Sequence, residues 1–207
     1  MKKLLMMLLA ATLSWSAFAQ DVATPDGLII ATVREVLAIV KQDKAIVSDQ
    51  ARLLALVDAK ILPHFDFKRM TQLAVGRPWR TATPEQKEAL VKEFRTMLVR
   101  TYTKVFSTYV EPVVEVKSAR MLGEDESTVR SVIRVPDGRV VTVDYEMKKN
   151  DGKWQAFDVT VEGISLVTSY RGSFADEIKQ VGIDGLIKTL SEKNRDVSDV
   201  AAAGSKG

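Results

Sequence analysis

The chain has 207 residues, a formal net charge of +3 and no cysteine. That length suits one domain, near-neutral charge argues against non-specific nucleic-acid binding, and the missing thiols exclude disulfides, Cys-ligated zinc, thiol catalysis and a lipoprotein anchor. Charged residues make up 28% and apolar residues 46%, enough apolar content to build a core without staples.

Lys2 and Lys3, the apolar run Leu4 to Leu13 and the small-x-small triplet Ala17-Phe18-Ala19 occur in the order of a secretory signal peptide. Cleavage is expected after Ala19. The apolar run is too short to span a bilayer as a helix. Losing the two lysines brings the charge to +1, and the mature protein is expected to be soluble and exported.

Thr24-Pro25-Asp26 opens a helix with proline near its first position, and Ile29, Val33, Val36, Leu37 and Val40 recur at helical spacing. A second helix follows Ser48 and is stopped by Pro63; Asp66 caps a third, which Gly76 closes. The strongest local signal is Thr83-Pro84-Glu85-Gln86, a capping box. It opens a helix of about 25 residues, ending near Pro112, with a partly aromatic stripe through Leu90, Phe94, Leu98, Tyr102, Val105 and Tyr109.

At Pro112 the period changes to two. Four strands are predicted: one through Val114, Val116 and Leu122, and one through Val129, Ile133 and Val135. The third carries Val141, Val143, Tyr145 and Met147, and the fourth Phe157, Val159 and Val161. Asp137-Gly138 and Asp151-Gly152 are hairpin turns. Helix returns after Gly163 with Leu166, Tyr170, Phe174, Ile178 and Val181. Gly182 ends it, a short helix follows, and no ordered element is expected from Arg195 on. The class is α+β: a twisted antiparallel sheet of about four strands, apolar on one face and covered there by helices, with an N-terminal helical part.

Local chemistry is sparse. His64 is the only histidine and follows Pro63 at a helix end, where a surface or capping role suffices. Gly163-Ile164-Ser165-Leu166-Val167 lacks the second glycine of a nucleophile elbow, so Ser165 reads as a helix cap. Asp144 and Glu146 share the strand face opposite the apolar one. Arg77, Trp79 and Arg80 offer two guanidinium groups and an aromatic to an anionic headgroup or a partner; the alternative is two solvated arginines around a packed tryptophan. No catalytic residue, metal ligand or cofactor motif is expected.

Three segments together resemble the MlaC (toluene-tolerance) family: Ala59-Lys60-Ile61-Leu62-Pro63-His64-Phe65-Asp66-Phe67; Gly76 through Gln86 running into Phe94-Arg95 and Tyr102; and Gly152-Lys153-Trp154-Gln155-Ala156-Phe157-Asp158-Val159 with Glu162-Gly163-Ile164-Ser165 and Gly182-Ile183-Asp184-Gly185-Leu186. The resemblance spans residues 25–193. It implies an NTF2-like sheet in one domain over residues 20–194. It also implies a soluble periplasmic carrier, with no catalytic residue and phospholipid as cargo, shuttling between an outer-membrane lipoprotein complex and an inner-membrane ABC transporter bearing an MCE-domain subunit and so maintaining outer-membrane lipid asymmetry. An NTF2-like interaction module or chaperone that binds polypeptide is the alternative.

A carrier must hide its cargo. Two acyl tails expose about 30 methylenes, worth on the order of 24 kcal/mol in water at ~0.8 kcal/mol each, so both should be largely enclosed. The expected lining is Val141, Val143, Tyr145, Met147, Phe157, Val159 and Val161 from the sheet. The helices would add Phe94, Leu98, Tyr102, Phe106, Tyr109, Leu166, Tyr170 and Phe174. About half of these should touch lipid and the rest be plain core.

Overall fold

The computed structural model describes residues 22–106 and 112–204. The expected signal peptide and Tyr109 lie outside the described residues, and of Phe106 only the backbone is described. Helix α1 (Pro25–Gln42) is capped by Thr24, whose Oγ1 accepts from the Gly27 N–H. Asp49 rather than Ser48 caps α2 (Gln50–Lys60). Asp66 caps α3 (Phe67–Val75), which ends at Gly76 with φ 69°, the left-handed conformation that glycine tolerates.

In front of α4 (Pro84–Phe106) the capping box closes both ways. The Gln86 N–H donates to Thr83 Oγ1 at 3.2 Å, and Gln86 Oε1 accepts from the Thr83 N–H at 3.0 Å. Thr83→Ala removes the hydroxyl acceptor and is expected to destabilise the protein by about 1 kcal/mol, read from the midpoint of equilibrium urea unfolding at unchanged slope.

Among the described residues the sheet has six strands: β1 (Val113–Val116), β2 (Arg120–Met121), β3 (Glu126–Arg134), β4 (Val140–Asn150), β5 (Lys153–Val161) and β6 (Ile164–Ser165), ordered β1-β3-β4-β5-β6 with β2 also on β3. All named pairs are antiparallel. The predicted first strand is split: β1 and β2 both pair with β3, but their registers differ by one residue across Lys117–Ala119. The β4–β5 turn carries positive φ at Asp151 (47°) and Gly152 (78°), which is the primed geometry an Asp-Gly hairpin favours.

The final helix, α5 (Leu166–Gly204), is broken at Gly182, where φ is 75° and ψ −178°. It is therefore two helices in succession, as the glycine predicts. The second runs on through residues 195–204, where no ordered element is predicted: Ala201, Ala202 and Ala203 favour helix without any amphipathic signal.

Two hydrophobic clusters hold the fold. One is helical: Met70, Ala74 and Val75 of α3, Trp79 of the 3₁₀ turn Arg77–Arg80, Leu90, Phe94 and Leu98 of α4, and Val167, Phe174, Leu186 and Leu190 of α5. The other joins Leu28 and Ile29 of α1 to Val129, Met147, Trp154 and Ala156 of the sheet. Phe65 packs against both. It sits alongside β5, paired with Ala156, and the next N–H, of Asp66, donates to the Ala156 carbonyl at 2.9 Å.

Candidate functional site: an apolar sheet face beyond the α1 cluster

The strand registers place one row of side chains across five strands: Val116, Ser131, Val143, Val161 and Ile164. Flanking rows on the same face are Val114–Ile133–Val141 and Val129–Tyr145–Val159. Toward α1 this face is consumed by the sheet cluster. Away from α1 it is not: Val143 and Val159 are buried yet lie in neither cluster, Ile133, Val141 and Val161 are half-buried, and Ile164 is 64% exposed. Apolar surface left over from both cores, and opening to solvent at one end, is where an apolar ligand can be received.

The predicted lining residues divide. Val141, Val143, Val159 and Val161 are brought together on this face, with Tyr145 beside them. Met147 is fully buried under α1 in the sheet cluster. Phe94, Leu98 and Phe174 belong to the helical core, with Phe94 meeting Tyr170 and Phe174 edge-on at 5.3 Å. Tyr102, Leu166 and Tyr170 are half-buried.

Phe157 does not join the predicted lining. The β4–β5 register shifts between Glu146 and Met147, so that Asp158 opposes Glu146 while Ala156 opposes Met147. Phe157 is the extra residue of this bulge and leaves the face that Val159 shares. Its ring lies under the Arg69 guanidinium at 4.0 Å, beside the Arg69–Glu126 ion pair on the opposite side of the sheet. A groove of about 360 Å³ lies there too, lined by Asp66, Lys68, Arg69, Gln72 and Leu73. No predicted lining residue contributes to it.

Asp158 alternates with Val159 along β5 and opposes Glu146, on the face opposite the apolar one. It is buried, and its carboxylate accepts from the Val159 N–H (2.8 Å), the Val167 N–H (3.2 Å) and the Ser165 hydroxyl (2.5 Å). Ser165 in turn accepts from the Thr168 N–H at 2.9 Å. Ser165 is thus the helix cap that the sequence predicts, and Gly163, at φ 82°, makes the turn before it. The pair fixes the start of α5 to the end of β5, beside the apolar row. On the wet face Asp144 is held by Arg130 at 2.6 and 2.8 Å, which lowers its carboxyl pKa.

His64 is half-buried in a 3₁₀ turn, and burial lowers its pKa. Trp79 is a buried anchor of the helical core, whereas Arg77 and Arg80 on either side of it are exposed. Among the described residues no group of three or more His, Asp or Glu is placed to hold a metal ion, and no helix is long and apolar enough to cross a membrane.

The sequence-based lining omitted Val114, Ile133, Ile164 and Ser131. The first two stand at the same alternating positions as their predicted neighbours, so the period-two signal could have found them. Ile164 lies in the short strand hidden within the predicted turn.

Two tyrosines report on this region. Burial, the charge of Tyr170 and a hydrogen bond to it push Tyr102 up to about 12, and burial pushes Tyr145 up as well. In an alkaline titration followed by tyrosinate absorbance, Tyr102→Phe is therefore expected to remove a component near 12. In the unfolded chain Tyr102 ionises at its ordinary value of 10.0. Stability that is intact below that pH should therefore fall as the pH rises toward 12 and then level off.

The sequence profile of the MlaC protein family matches residues 31–192. The toluene tolerance protein ttg2D of Pseudomonas putida is 29% identical over 111 residues, 54% of this chain and 51% of the relative, so the match spans about half of that protein. The intermembrane phospholipid transport system binding protein MlaC of Haemophilus influenzae is 20% identical over 148 residues, covering 70% of this chain and 69% of the relative. Among solved structures, the phospholipid-binding protein from Ralstonia solanacearum, in complex with a phospholipid, superposes with a TM-score of 0.77 at 33% identity, over 84% of this chain and 99% of its own. With its α+β architecture and a family match running from α1 into the second half of α5, the chain belongs to the MlaC family.

Proposed function

We propose that this protein is a periplasmic phospholipid carrier. It takes acyl chains onto the apolar sheet face beyond the α1 cluster and ferries lipid between an outer-membrane lipoprotein complex and an inner-membrane ABC transporter with an MCE-domain subunit, maintaining outer-membrane lipid asymmetry. The observation that carries the reading is the near-complete match to a phospholipid-bound protein of the same fold. The leftover apolar rows supply the physics. Val141, Val143, Val159 and Val161 offer contiguous apolar area that belongs to neither core among the described residues, and each methylene moved onto it from water gains about 0.8 kcal/mol.

Residues 1–19 are the export signal in this proposal, residues 20–194 form the single lipid-binding domain, and Arg77 and Arg80 contact a headgroup or a docking partner. No chemical step is required. The Ser165 hydroxyl is engaged with Asp158 and the Thr168 N–H, and a carrier should go on transferring lipid after Ser165→Ala.

The test is native mass spectrometry of the mature protein purified from the periplasm without detergent, with lipid extraction alongside. A mass excess matching about one phospholipid per chain is expected. A folded protein that carries none and takes none from vesicles would overturn the proposal and favour binding of polypeptide.

A further inference from the structure

The central row of the candidate face contains one polar side chain. Ser131 lies between Val116 on β1 and Val143 on β4, with Val161 and Ile164 continuing the row. Its relative exposure is 0%, and its Oγ is buried with no hydrogen-bond partner among the described residues. The phenol of Tyr145 lies nearby, pushed up by burial and drawn partly back by Ser131, yet the serine hydroxyl finds no partner in hydrogen-bonding geometry. A hydroxyl left unpaired in a dry interior is costly, and native proteins seldom keep one without a use. Valine would fit the row and the strand better. Ser127, four residues earlier on the same face, is also buried with no partner among the described residues. It opposes Met147 inside the α1–sheet cluster, away from the open end.

A serine O–H donates, and what is missing beside Ser131 is an acceptor with apolar neighbours. The linkage between the tails and the glycerol of a diacyl phospholipid has that character: an ester carbonyl accepts, donates nothing, and is joined to methylenes that suit Val143 and Val161. An ether linkage keeps the tails and the length of the lipid but loses the carbonyl acceptor.

We propose that Ser131, with Tyr145 beside it, is the seat of an acyl-ester carbonyl of the bound lipid, so that the protein distinguishes ester-linked from ether-linked lipid. This rests on the carrier reading. Lipid entry supplies the acceptor for the Ser131 hydroxyl. Register of the cargo along the sheet face is then set by one hydrogen bond, with the methylenes providing affinity on either side of it.

The experiment offers the lipid-free mature protein vesicles containing equal amounts of diacyl and dialkyl phosphatidylethanolamine of matched chain length, and counts both lipids on the protein by mass spectrometry. A net hydrogen bond gained only with the ester should give about fivefold preference for the diacyl lipid. Ser131→Ala should bring the ratio to near one while total loading persists, and Ser127→Ala should leave the preference intact. Equal loading of both lipids by the unmodified protein would overturn the proposal, because the hydroxyl would then serve an ordered water only, and the carrier reading would stand. A preference that survives Ser131→Ala would also overturn it. Loading of neither lipid would bring down the carrier reading itself. The ratio measured on the unmodified protein decides the matter even if a Ser131 variant folds poorly.

Discussion

Phe94→Ala is expected to cost about 4 kcal/mol of folding stability, within the range for truncating a fully buried aromatic. Phe94 is 0% exposed at the centre of the helical core. It loses edge-on contacts with Tyr170 and Phe174, both at 5.3 Å, and such pairs contribute beyond their buried area. Helices α3, α4 and α5 converge there, so the gap cannot close by shifting one of them alone. Against a domain stability of about 5–15 kcal/mol the loss leaves the fold marginal. Urea unfolding of the lipid-free variant at 25 °C would measure it. A loss below about 1 kcal/mol would mean that Phe94 borders empty space and belongs to the lipid site after all.

The second large effect is on cargo. Val143→Trp, and separately Val159→Trp, is expected to displace lipid while the protein stays folded. An indole on the central rows occupies space meant for acyl chain. Displacing four methylenes forfeits about 3 kcal/mol, roughly a hundredfold in affinity. If these valines were ordinary core, the same indoles would instead overpack it, costing about 1–3 kcal/mol of stability with no change in lipid per chain. Lipid stoichiometry and thermal unfolding, measured on one preparation, separate the cases: lipid loss with a nearly unchanged transition places the tails on this face. Unchanged lipid content in both variants would remove the face from the proposed site.

The elements were legible in the sequence where their signals are local. Thr83 and Gln86 satisfy each other within one helical turn, Asp151-Gly152 dictates its own hairpin, and Gly182 interrupts a helix by its own φ. What failed depended on distant partners. Period two places Phe157 with Val159, but a single extra residue in the β4–β5 register turns it to the other side, onto Arg69. Asp158 alternates with Val159 along its strand, and its buried role is created by the start of α5, nine positions on. Core and lining are alike in composition. Phe94 and Val143 both sit on apolar stripes, and only packing assigns one to the helical core and the other to neither cluster. Ser131 was passed over because a serine between Val129 and Ile133 interrupts an apolar face; its burial with no partner among the described residues is visible only in three dimensions.

The division of the interior into two clusters, bridged by Phe65, bears on how the molecule breathes. Cooperative units of a protein open at different free energies when few contacts cross between them. Amide exchange should therefore separate the β3–β4–β5 meander with α1 from the α3–α4–α5 bundle, each with its own opening energy below that of global unfolding. Such an opening would part the bundle from the sheet without melting either. A tail could then slip out sideways during a fluctuation that costs the chain neither its strands nor its helices.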